Sequence, residues 1–325
     1  MLLGTGGRKA IRIVWIGFHE EGIKALEGVL SERIKIHALI TLNQLKMKER
    51  SASTHAYRSI CERNGISYYE VDSIKSETAY NLLKNEKPDL VIVLGWSEIL
   101  PARLLEIPSI GTVGTHAAML PHNRGSAPVN WAILRGETTG GNTLMWLNEK
   151  VDSGKMIEQI SFPITIYDTC KTVYDKVSKT NDRMIRNLIA RLLTGEKVPG
   201  KILPELQEEL LPRRKPKDGL ICWEQPAKQI YDFVRALTEP YPGAFSYLNG
   251  DKWMIWKCSF LSEISLMKRP GEIIGNIYST EKYSGGIAVA CSSGMICIHE
   301  MENEAYGKIG GKEIIELGLK GIFEQ

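Results

Sequence analysis

The densest collection of chemically useful side chains lies in GTVGTHAAMLPHNRGSAPVNWAILRGETTGGNTLMWLNEKVDSGKMI, residues 111–157. His116 follows a short strand candidate and stands beside a glycine-rich turn, a position from which loops present active-site groups. Asp152 lies in EKVDSG, a turn after the strand candidate NTLMWL. Two neighbouring sheet elements can therefore deliver a carboxylate and an imidazole to one crevice, a pair of groups suited to acid–base chemistry. Each residue also has a plainer reading. A lone histidine is more often satisfied by a backbone carbonyl, and an aspartate in DSG is more often a turn former that bonds its own backbone. The two together, in one block, carry the functional reading.

These side chains need a scaffold. From Ile11 the chain reads IRIVWIGF, then an amphipathic stretch from Glu20 to Leu30, then IKIHALI at 34–40, which is the order strand, helix, strand. A polar loop through 42–54, a helix from His55 to Arg63, the strand ISYYEV, a helix from Glu77 to Lys84 and DLVIVLG at 89–95 repeat it. The fold class expected is α/β, a Rossmann-like, largely parallel sheet covered on both faces. Such sheets bind ligands outside the carboxyl ends of their strands. That directs attention to GWSEILP at 95–101 and GTVGTHAAMLP at 111–121. Gly17 and Gly22 do not make GxGxxG, which argues against a dinucleotide site. RGSAP at 124–128 supplies a turn, with Pro128 suited to the first turn of the helix VNWAIL.

The texture changes at VPGKILPELQEELLPRRKPKDG, rich in proline and charge. We expect a frayed start at 1–10, a catalytic domain at 11–204, a linker at 205–214 and a second domain at 215–325. The last contains one amphipathic helix, 227–238, and short strands split by turns, with a hairpin at Asn249–Asp251. A small, OB-like β-barrel is the natural architecture for it.

Forty-one basic and 38 acidic side chains are interspersed for a net charge of +3, which weakens a nucleic-acid reading. The run RRKPK at 213–217, and Lys46, Lys48 and Arg50, read as solvated charge, and Trp253 and Trp256 as barrel core. Six cysteines form no CxxC pair and no Cys/His cluster, so no metal site and no disulfide framework is indicated. Reduced thiols and the lack of a membrane-length apolar run suit a cytoplasmic protein. A homodimer is the default for soluble oligomers.

HAAMLPHNRGSAP resembles a pattern of His, small residues, Leu-Pro and Arg-Gly-x-x-Pro, and VDSGKMI is similar to an Asp-x-Gly turn, both of the folate-dependent formyltransferases. The stretch PKDGLICWEQPAKQIYDFVRALTEPYPGAFSYLNG resembles the carboxyl-terminal domain of the tRNA and amino-sugar members, so the resemblance covers nearly the whole chain. It implies transfer of a formyl group from N10-formyltetrahydrofolate to a primary amine through a tetrahedral oxyanion. His116 would move the proton or stabilise the oxyanion, and Asp152 would orient His116. The resemblance assigns folate to Trp96, Ile99, Leu100, Lys150 and Val151, and substrate to Arg124, Gly125 and Pro128. Ile99 and Leu100 also read as core packing, and Trp96 as a strand cap.

One position departs from the family. An asparagine that donates its amide to the formyl oxygen usually stands two residues before the histidine, and here that residue is Gly114. Loss of one oxyanion donor typically costs about 10²–10³ in turnover. Gly114 could expose a backbone N–H or a water in its place, Asn123 or Asn130 could swing in, or activity could be altered; the intact surroundings favour the first. The acceptor expected is a nucleotide-linked amino sugar, on the modest charge and on LTEPYPGAFSYLNG, which looks closer to amino-sugar members. Methionyl-tRNA is the second reading, and a noncatalytic folate- or nucleotide-binding protein the third.

Overall fold

The computed structural model describes residues 10–50, 53–207, 209–262, 264, 267–280 and 285–324. The start at 1–10 lies outside the described residues except for Ala10. The described residues form two compact units, one of Met1–Pro128, Thr139–Pro163 and Tyr174–Leu211, the other of Val129–Thr138, Ile164–Val173 and Pro212–Gln325.

The first unit is built on seven strands: β1 Ile13–Ile16, β2 Ile36–Leu42, β3 Ser67–Val71, β4 Leu90–Val93, β5 Gly111–His116, β6 Thr139–Trp146 and β7 Lys155–Pro163. Their order is β3-β2-β1-β4-β5-β6-β7. Strands β1 to β5 run parallel, and β6 and β7 add an antiparallel edge. The alternation of side chains along a strand explains why β1 is apolar at every position. Ile13 and Trp15 face Leu26, Ile60, Met184 and Leu188, whereas Val14 and Ile16 face Ala38, Ile40, Ala79 and Leu83. Helices Ile23–Ser31 and Ala56–Asn64 and residues 174–193 of the helix Cys170–Leu193 cover the first face. Helix Glu77–Glu86, capped by Ser76 through a 3.1 Å bond from Ala79 N, covers the second.

The polar stretch at 42–54 is not loop throughout. Asn43 caps a short helix, Gln44–Lys48, by accepting from Lys46 N at 2.9 Å, and Met47 buries one side of it.

The second unit holds β8 Ala244–Leu248, β9 Asp251–Leu261, β10 Ile273–Ile277, β11 Gly286–Ala290, β12 Met295–Asn303, β13 Gly307–Gly310 and β14 Phe323–Glu324. All pair antiparallel in the order β10-β11-β12-β9-β8-β14, with β13 on β12. The hairpin lies where NGD predicts it: Leu248 pairs with Asp251, and Asn249 and Gly250 both have positive φ, 53° and 88°. A bridge between Glu272 and Ile322, with Phe323 N donating to Gly271 O at 2.8 Å, links the two ends of the path. The sheet therefore curls into a partly closed barrel. Helix Ala227–Leu237 turns Ala227, Ile230, Val234 and Leu237 inward at helical spacing.

Candidate active site

The strand order reverses between β1 and β4, so the crevice outside the carboxyl ends of β1, β4 and β5 is where a fold of this kind takes its ligands. His116 is the last residue of β5 and only 8% exposed. Asp152 sits in the turn between β6 and β7. The two meet at 3.4 Å, from His116 Nδ1 to Asp152 Oδ1, longer than a good hydrogen bond and short enough for direct electrostatic contact. The other ring nitrogen, Nε2, is 2.7 Å from the carbonyl oxygen of Asn123. A carbonyl can only accept, so the ring carries a proton at Nε2. Asp152 then stands at Nδ1, where it can stabilise a second proton as the ring becomes imidazolium.

The backbone is bent to make this arrangement. Asp152 has φ +47° and Asn123 φ +57°, left-handed conformations that asparagine and aspartate tolerate better than most residues and that recur at functional sites. The turn carrying Asp152 is tied by Asn148, whose Oδ1 accepts from Lys150 N at 3.0 Å and Ser153 Oγ at 3.0 Å, and whose Nδ2 donates to Ser153 O at 3.2 Å. Asp152 Oδ2 accepts from Gly125 N at 2.9 Å. The carboxylate thus orients the ring through one oxygen and holds the Arg124–Ser126 turn through the other.

Gly125 has φ +115°, and a Cβ there would lie 2.5 Å from Leu211 N. The bare backbone lets 124–126 pair with the connecting segment: Leu211 N donates to Arg124 O at 2.7 Å and Ser126 N to Leu211 O at 2.9 Å. Arg124 Nη2 donates to Leu206 O at 3.2 Å. Gly125 therefore belongs to the positioning of Asp152, and Arg124 is turned to the connecting segment. Pro128 opens the helix Pro128–Leu134.

The residues assigned to folate divide. Leu100 is 5% exposed and packs with Val91, Val93 and Leu104, whereas Ile99 is 47% exposed. Trp96 meets Phe18 edge-on, ring centroids 5.4 Å apart, just past β4. Val151 is half-buried and Lys150 exposed, with its backbone N–H committed to Asn148. Of the five, Ile99 and Lys150 are exposed, and Leu100 belongs to the core.

At Gly114 a Cβ would stand 3.0 Å from both methyls of Leu147 and 3.1 Å from Val93 O. The room that an asparagine side chain would fill is taken by Leu147. Asn130 does not swing in, because its Nδ2 donates to Ala236 O at 2.6 Å within the second unit. Sequence reasoning missed Asn148 and the Asn123 carbonyl, as well as Thr143 and Gln159, which hold the loop after His116. Only Asn148 left a signal, a side chain able to form an Asx turn in LNEKVDS.

A doubly wound sheet with an imidazole and a carboxylate at the crevice places the chain among α/β proteins that work from the ends of their strands. The formyl transferase family model matches residues 19–189, and the model of the formyl transferase C-terminal domain matches 213–316. The chain belongs to the folate-dependent formyltransferase family and is a formyltransferase. It is 30% identical over 299 residues to the methionyl-tRNA formyltransferase of Citrifermentans bemidjiense, covering 90% of this chain and 89% of that one. Among solved structures, HypX from Aquifex aeolicus in complex with tetrahydrofolic acid is similar in fold with a TM-score of 0.65, 19% identity and 98% of this chain covered; the chain spans 49% of HypX. The N-formyltransferase from Helicobacter canadensis, in complex with folinic acid and dTDP-3-aminofucose, is similar in fold with a TM-score of 0.61, 19% identity and coverage of 89% of this chain and 99% of that one. Among the described residues no group of three or more His, Cys, Asp or Glu could hold a metal ion, and no helix is long and apolar enough to cross a membrane.

Proposed function

We propose that the chain moves the formyl group of N10-formyltetrahydrofolate onto the primary amine of a nucleotide-linked amino sugar, in the cytoplasm. The reading rests on the His116–Asp152 pair at the crevice, 3.4 Å apart. His116 either moves the proton of the attacking amine or presents Nε2–H to the developing oxyanion once the Asn123 carbonyl gives it up; Asp152 orients the ring and stabilises its charge. Folate is taken up along Trp96, Ile99, Leu100, Lys150 and Val151, and Arg124, Gly125 and Pro128 serve the acceptor through the turn they build, in which Gly125 N holds Asp152 Oδ2.

Charge pairing supports a small acceptor. In the second unit Lys228 and Arg235 pair with Asp232, Lys268 with Glu272, Lys308 with Glu239 and Glu300, and Lys312 with Glu316. Arg214 of the RRKPK run lies over the Trp131 and Phe233 rings at 5.2 and 5.6 Å. A tRNA reader draws most of its affinity from cations facing phosphates. The second reading, methionyl-tRNA as acceptor, is favoured by the 30% identity to a methionyl-tRNA formyltransferase along 90% of the chain.

The test is turnover. The protein is incubated with N10-formyltetrahydrofolate and either a panel of nucleotide-linked amino sugars or methionyl-tRNA, and tetrahydrofolate release is followed. Release with an amino sugar supports the proposal; release with methionyl-tRNA alone overturns it in favour of the second reading.

A further inference from the structure

The loop that leaves His116 returns to it. Residues 117–122 carry the chain away from β5, Asn123 then places its carbonyl on His116 Nε2, and Gly125 places its N–H on Asp152. The catalytic pair is thus framed by one loop, whose position must be set where it departs. The sheet does this through a row of three side chains. His116 of β5 pairs with Thr143 of β6, and Thr143 pairs with Gln159 of β7. Directly paired residues of antiparallel strands point to the same face.

Thr143 is fully buried; its Oγ1 donates to Ala118 O at 2.7 Å and accepts from Leu120 N at 3.3 Å. Gln159 Nε2 donates both to Leu120 O at 2.9 Å and to Thr143 Oγ1 at 2.8 Å. Gly141, two pairs further along β6 and on the same face, leaves no Cβ where Met119 of the same loop lies. Three backbone groups of the loop are held by two side chains from the antiparallel edge, and one amide closes the network.

We propose that Gln159 is a positioning residue for formyl transfer: acting through Thr143 and the 118–120 loop segment, its amide fixes the Asn123 carbonyl against His116 Nε2. It touches neither substrate nor the reacting atoms. The proposal concerns the family reaction and does not depend on which amine is the acceptor. Misplacing a catalytic group by about 1 Å can cost on the order of a hundredfold in rate.

The test compares the full chain with Gln159→Leu and Thr143→Val, with Thr143→Ser as the conservative control. With six histidines, selective ¹⁵N-histidine labelling with His116→Ala for assignment isolates the His116 ring signals. In the resting wild type the His116 Nε2–H should be slowly exchanging and shifted by its bond to a carbonyl. In Gln159→Leu and Thr143→Val that signal should move and exchange faster, and kcat on an accepted amine should fall about tenfold. KM for N10-formyltetrahydrofolate should stay within about twofold, and Thr143→Ser should restore both signal and kcat. An unchanged His116 signal in correctly folded Gln159→Leu overturns the proposal, as does a kcat loss matched by a general loss of thermal stability with the ring signal intact. The ring signal is read without any acceptor, so failure of the amino-sugar assignment shows separately, as wild-type silence on the sugar panel.

Discussion

Asn123 holds the His116 imidazole from the side opposite Asp152: its carbonyl oxygen accepts from His116 Nε2 at 2.7 Å, while the carboxylate stands 3.4 Å from Nδ1. The resting ring is thus bonded on one edge and faced by charge on the other. Under the proposed mechanism the carbonyl contact is exchanged for substrate, which would make the loop from 117 to 125 part of the catalytic apparatus.

Replacing His116 by alanine removes the ring to which the proposed mechanism assigns proton transfer or oxyanion stabilisation. Turnover should fall by about 10²–10⁴-fold, with the far-ultraviolet spectrum unchanged. A single-turnover assay with N10-formyltetrahydrofolate measures this, and activity near wild type would remove His116 from the mechanism.

Asp152→Asn separates charge from shape. Asparagine tolerates the left-handed backbone at φ +47° and can still accept from Gly125 N, so the turn should survive. It has no charge with which to stabilise a protonated ring. Turnover should drop by about 10²–10⁴-fold with little change in melting temperature, as for other carboxylates that orient an imidazole.

Gly125→Ala tests the backbone. The φ of +115° is strained for alanine, and a Cβ would stand 2.5 Å from Leu211 N, so the 124–126 pairing with Leu211 must open. We expect a loss of about 1–3 kcal/mol in a denaturant melt, together with lower turnover because Asp152 loses the Gly125 N–H.

The buried thiols make stability depend on alkaline pH. Burial raises Cys61, Cys170 and Cys291 from the ordinary 9.0 to about 12, and Cys297 to about 11. These thiols stay protonated in the folded chain while the unfolded chain ionises near pH 9, so their contribution is complete below pH 9 and is lost as pH rises toward 12. Denaturant midpoints at pH 8 and pH 10.5 should show the decline, and a Cys61→Ala, Cys170→Ala double variant should flatten it.

Much of this was legible in the chain itself. Ile13 to Ile16 and Leu90 to Val93 are apolar at every position, which only a sheet covered on both faces explains, and Asn249–Gly250 chose its hairpin turn through two residues that accept positive φ. His116 and Asp152 stood out because imidazole and carboxylate chemistry is written in residue type. Other features depend on partners far along the sequence. Whether Gly114 had left an opening turned on Leu147, whose side chain fills it, and whether Arg124 and Gly125 faced a ligand turned on Leu206 and Leu211. The hold of Gln159 on the His116 loop arises from register across β5, β6 and β7. Local sequence determines which groups are present and which backbone angles they prefer; long-range pairing decides which of them meet, because hydrogen bonds and packing act over a few ångströms of space whatever the separation along the chain.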